Sequence, residues 1–221
     1  MLKVQKTTEK SITVKGVAER EVISDIATFV CTVSVKSTEK AEGYNKLTNS
    51  INILNKKLKL NGFPESVQYD KSITCNNRFK TTKTTVNGQT VEKEEFVYYE
   101  LSYSVTIRTK DIEKVENNVL KLHSLAQNGV DISITNPEYF ISNPEQYKLE
   151  LVNEACESAA NRAKITASLS GSTLGALIKA RQGVIQITAP ANSDTSDYGT
   201  YNTTSLKKVI RLVMTMEFAL K

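Results

Sequence analysis

The sequence predicts an α+β fold: an antiparallel-rich sheet with a split βαβ core (βαββαβ), further βαββ elements, and helices packed on the sheet. Three observations lead there. Segments 25–37 and 94–109 alternate apolar and polar residues, as half-buried strands do. Segments 39–62 and 110–129 repeat apolar residues every three or four positions, as amphipathic helices do. Asn87-Gly88 stands between two strand-like runs, the strongest short hairpin signal available.

In chain order, residues 12–20 read as a first strand in which Gly16 marks a bend or a close approach. In the second strand Ala27, Phe29, Cys31, Val33 and Val35 face the core. Tyr44, Leu47, Ile51, Leu54 and Leu58 make the stripe of a first helix, which Asn61-Gly62 ends. Residues 66–79 alternate again, with Val67, Tyr69, Ile73, Cys75 and Phe79 expected on one face. The returning strand places Tyr99, Leu101, Tyr103, Val105 and Ile107 together. Residues 80–93 are polar on both faces, so they are expected to project as an arm.

A second helix carries Ile112, Val115, Val119, Leu122 and Leu125 and stops at Asn128-Gly129. His123 falls beside that stripe and reads as a partly covered surface residue. Residues 130–142 give a strand broken by Pro137, and 173–189 give one more. A polar connection, 190–205, is too long for a tight hairpin and leads to the last strand, where 209–217 alternate against 210–218. The chain reads as one domain, 1–221, divisible into two lobes at about 11–110 and 111–221.

The third helix opens at Asn143-Pro144 and closes at Gly171, with alanine at 155, 159, 163 and 167. At about 100° per residue, Leu149, Val152, Cys156, Ala159, Ala160, Ala163 and Ala167 share one arc. Cys156 is therefore expected on the apolar face, where a thiol lacks the exposure and cationic company that activate it. The helix is read as a packing element.

Composition narrows function. The chain has 221 residues, long enough to bury a core, and 24% charged residues with 39% hydrophobic ones mark a globular protein. The net charge of +5 is spread thinly. Its densest basic run, Lys56, Lys57 and Lys59, reads as the solvated side of the first helix. Stacking aromatics interleaved with basic residues are missing, so no nucleic-acid partner is expected. Three cysteines at 31, 75 and 156 show no ligand spacing, and one histidine forms no cluster. No catalytic, cofactor-binding or metal-binding residue is assigned, and no cofactor is expected. No run approaches the length of a transmembrane segment, and residues 1–10 lack the apolar core of a signal peptide. These residues leave a cytoplasmic setting open.

The order of these elements resembles the SIMPL domain family, which includes the bacterial periplasmic immunogenic protein and oxidative-stress defence proteins. The resemblance runs from about residue 11 to 220. Asp25 and Ala27 fill the family's turn into the second strand, with Ser24 where proline is usual. Asp111, Gly129, Arg162, Ala163, Gly171, Leu174 and Gly175 fill the later signature, through the alanine-rich helix to its Gly-x-x-Leu-Gly end. The resemblance implies an α+β fold, a periplasmic or exported setting, and closed homo-oligomers that in some members are rings. It brings no catalytic residues.

The first expectation is thus a non-enzymatic, self-associating cell-envelope protein linked to stress defence, acting through assembly or partner contacts. Two others stand beside it: a small-molecule binding or thiol-dependent enzyme with a cleft between lobes, and an intracellular signalling adaptor.

Overall fold

A computed structural model describes residues 10–86, 89–191 and 196–221. These form two compact units: Asp25–Tyr139, and a discontinuous one of residues up to Ser24 together with Phe140–Lys221. The division near 110 expected from sequence is not where the contacts divide. The reason lies in the pairing of the first strand.

The continuous unit contains β2 (Ile26–Ser37), α1 (Lys40–Leu60), β3 (Gln68–Val86), β4 (Gln89–Thr109), α2 (Ile112–Leu122), β5 (Asp131–Ile134) and β6 (Glu138–Phe140), the last shared with the boundary. Its sheet order is β3-β4-β2-β5, every pair antiparallel, with β6 also on β2. Strands β2 and β3 therefore run the same way on either side of β4, which is the predicted split βαβ arrangement.

The alternation in the sequence explains the burial. Ala27, Phe29, Cys31 and Val33 of β2 and Leu101, Tyr103, Val105 and Ile107 of β4 form one buried face. Leu47, Leu54 and Leu58 of α1 and Val115, Val119 and Leu122 of α2 close over it, and Phe29 meets Phe63 edge to face at 5.3 Å. Asp111 caps α2 by accepting from the Lys114 backbone N–H at 3.2 Å. That helix tightens into a 3₁₀ stretch at His123–Asn128 before Gly129, at φ 78°, ends it.

One face assignment is corrected. Asp70, at φ 48°, sits in a bulge between the Tyr69–Thr106 and Ser72–Ser104 pairs. The extra residue turns Tyr69 to the face opposite Ile73 and Cys75.

The discontinuous unit contains β1 (Ser11–Ile23), α3 (Pro144–Leu169), β7 (Leu174–Gln182), β8 (Gln186–Thr188), β9 (Thr200–Tyr201) and β10 (Lys207–Leu220). Central β10 pairs antiparallel with β1 from Ser11–Ala219 to Ile23–Lys207, and on its other side with β7 and then β8. Strand β9 joins β8 in parallel. The fold is thus two antiparallel-rich sheets rather than one, and the single strand expected at 173–189 is two. Gly183 interrupts it, and its N–H bonds the Val213 carbonyl at 2.8 Å.

Helix α3 lies on β1 and β10. Its buried stripe is Leu151, Ala155, Ala159, Ala163 and Ala167, at intervals of four. Leu149 is 69% exposed and Cys156 only half-buried, so the stripe is rotated from the expected arc. Small side chains are needed because a Cβ on Gly16 would lie 1.9 Å from the Ala155 carbonyl oxygen and 2.5 Å from the Ala159 nitrogen. Helix backbone rests directly on strand backbone there. Arg20 ties the same two elements through Glu150 and Glu154, and Arg162 donates to the Lys15 carbonyl at 3.1 Å.

Candidate functional site

The thiols come first, since they are the reactive groups named by the sequence. Cys31 is fully buried on β2, and burial pushes its thiol up to about 12. A group protonated so far above neutrality is not a nucleophile. Cys75 is half-buried on β3 beside the main core, and Cys156 is half-buried on α3 between the two clusters of the other unit. His123 is exposed at the end of α2. Among the described residues no three His, Cys, Asp or Glu side chains stand close enough to hold a metal ion. Among the described residues no helix is long and apolar enough to cross a membrane.

The polar ribbon is the more distinctive feature. Strand β2 accompanies β4 only as far as the Ser37–Tyr99 pair. Beyond it, among the described residues, 79–86 and 89–96 pair only with each other, from Phe79–Phe96 to Val86–Gln89. At about 3.3 Å per residue this arm is roughly 25 Å long. The Asn87-Gly88 turn itself lies outside the described residues. Lys80 stands opposite Glu95, and Lys83 makes an ion pair with Glu92 at 2.6 Å. Arg78 donates to Glu100 at 2.7 Å at the base. Exposed pairs of this kind contribute about 0–1 kcal/mol each, too little to hold such a ribbon on their own.

At the base the ribbon carries uncovered aromatic surface. Phe79 and Phe96 meet edge to face at 6.1 Å, and Phe96 lies 4.8 Å from Tyr99. Phe79 is 53% exposed, Phe96 42%, and Ile73 on the same strand 54%. Strand β3 is also the end of its sheet, so one side of its backbone has no strand partner among the described residues. Sequence reading missed the trio because Val97 forms a second bulge: Arg78 pairs with Tyr98, but Phe79 with Phe96. Unbroken alternation would set Phe96 on the face opposite Tyr99, and the skipped residue brings the two onto the same face.

The other segment of interest, 190–205, is partly outside the described residues, at 192–195. Its remainder is bound into its own unit. Gln186 donates to the Ser196 carbonyl at 2.7 Å and accepts from the Thr200 hydroxyl at 2.7 Å. Fully buried Lys208 donates to the carbonyls of Asn202 at 2.5 Å and Ser205 at 2.7 Å, and burial pushes its ammonium pKa down.

A family model named SIMPL, described as a protein of unknown function (DUF541), matches residues 12–208. No curated protein matches the chain.

Proposed function

The chain belongs to the SIMPL family, and on that premise we propose that it is a non-enzymatic, self-associating protein of the cell envelope. It acts through homo-oligomeric assembly and partner contacts, with a contribution to stress defence. The observation that carries the reading is the arm: a ribbon polar at its tip, aromatic at its base, continuous with a free sheet edge. Isolated ribbons are marginal in water, and unpaired edges favour pairing between chains. A second copy supplies both an edge and an apolar cover, and closed symmetry is the ordinary result of such contacts. The lysines along the arm limit open-ended pairing while leaving a specific contact intact.

Sedimentation velocity tests the proposal. The full chain is expected to sediment as a discrete multi-subunit species at micromolar concentration. A chain carrying Phe79→Ser and Phe96→Ser is expected to shift to a smaller species with unchanged circular dichroism. A wild-type monomer at that concentration refutes the assembly reading. Cell fractionation of the natural producer tests the envelope location, with a purely cytosolic pool counting against it.

A further inference from the structure

We propose that the open face of the β1–β10–β7 sheet binds a small organic anion, its oxyanion head seated over Thr215 between Lys15 and Arg181. This is independent of the arm. Cross-strand register sets these charged rows, among others, on the face turned away from α3: Thr13–Glu217–Lys179, Lys15–Thr215–Arg181, and Glu19–Arg211–Gln186. The first row sets Glu217 beside Lys179. In the third, Glu19 Oε1 lies 3.1 Å from Arg211 Nε. Both rows have acid and base together. The middle row has two cations, a hydroxyl and no acid.

Lys15, Arg181 and the Thr215 hydroxyl make no side-chain hydrogen bond or ion pair with another of the described residues. Adjacent strands lie about 4.8 Å apart, so Lys15 and Arg181 start roughly 10 Å from each other across Thr215. Both long side chains reach an anion placed over the threonine from that spacing. Asp197 lines the larger cavity and Glu217 the smaller, but among the described residues neither makes an ion pair with Lys15 or Arg181. The two cations repel across Thr215, and a bound anion converts that cost into charge-assisted hydrogen bonds.

The space fits a head and a body. A cavity of 630 Å³ and another of 200 Å³ lie on this face, and Thr215 lines both. The larger runs over Val213 and Val184, which offer apolar floor, toward Gln186 and Arg211. Arg211 Nε is buried there without an aligned hydrogen-bond acceptor, although Glu19 is near. The far wall is already set, because Gln186 holds Ser196 and Thr200. The backbone under Lys15 is likewise fixed by Arg162. The ligand class is therefore a phosphate or carboxylate head on a compact, partly apolar body.

Calorimetric titration of the full chain with phenyl phosphate, benzoate and phenol tests this. At least one anion is expected to saturate below about 1 mM, with phenol not binding. The stronger of the two anions identifies the head as phosphate or carboxylate. Lys15→Gln and Arg181→Gln, both at exposed positions, are each expected to weaken binding roughly tenfold and to leave thermal unfolding unchanged. Lys56→Gln, on the outer side of α1, is expected to bind as wild type. The proposal is overturned if neither anion saturates or if phenol matches the anions. It is equally overturned if the two sheet variants bind as wild type or if Lys56→Gln loses as much.

Discussion

At Cys31 the buried thiol makes a pH prediction with a definite sign. Its pKa stands at about 12 in the folded chain against an ordinary 9.0. The unfolded chain therefore loses this proton first. The stability associated with it is complete below pH 9 and falls as pH rises toward 12, by up to about 1.4 kcal/mol per pH unit. The difference between wild type and Cys31→Val in denaturant titrations should grow over that window and stay flat below it; a flat difference throughout would show that the thiol is not desolvated. At Gly16 no side chain fits against the Ala155 and Ala159 backbone. Gly16→Val and Ala163→Leu should each destabilise by about 1–3 kcal/mol or more, read as a lowered denaturation midpoint. A neutral result at either would mean that α3 does not rest on β1 as described. The glycine was legible in the sequence as a close approach. Which alanines it meets was not, because the helical arc drawn through Cys156 and Leu149 was set by hydrophobicity, whereas the observed arc is set by size.

Among the elements, regular strands and helices were readable and irregular ones were not. Alternation in β2 and β4 and the three-four spacing of α1 and α2 report a periodic environment, and the structure keeps those faces except at Tyr44, which is exposed. A bulge inserts one residue and reverses every assignment beyond it, which is why Tyr69 was misplaced and Phe96 overlooked. The break between β7 and β8 likewise has only Gly183 to announce it. The arm carries its own prediction. Joining Phe79 to Phe96 through a two-residue Asn-Gly turn removes residues 80–95, of which those with described side chains are exposed. The shortened chain should unfold with the wild-type midpoint, within about 0.5 kcal/mol, while its oligomeric state falls. Loss of the fold instead would show that the ribbon is part of the unit's own stability.

For the whole molecule, the consequential fact is that the first strand pairs with the last. The sequence announced both as strands, but local patterning holds no information about partners some two hundred positions apart. The continuous unit is complete in residues 25–141, which include all of β6. That fragment should fold alone, giving dispersed amide resonances and a cooperative melt. Residues 140–221 alone should not, because Ala18 and Val22 of β1 are missing from their core. Adding a peptide of residues 10–24 should restore cooperative unfolding, and folding of 140–221 without it would contradict the role assigned to β1. The same pairing matters while the protein is being made. On a translating ribosome β1 emerges before β10, which follows it by nearly two hundred residues, roughly ten to forty seconds at ordinary elongation rates. Late in that interval the nascent protein holds a finished middle unit and a bare strand of Ile12, Val14, Val17 and Val22. A chaperone that binds extended apolar segments would find its target there, and would be released by the arrival of β10 rather than by any step before it.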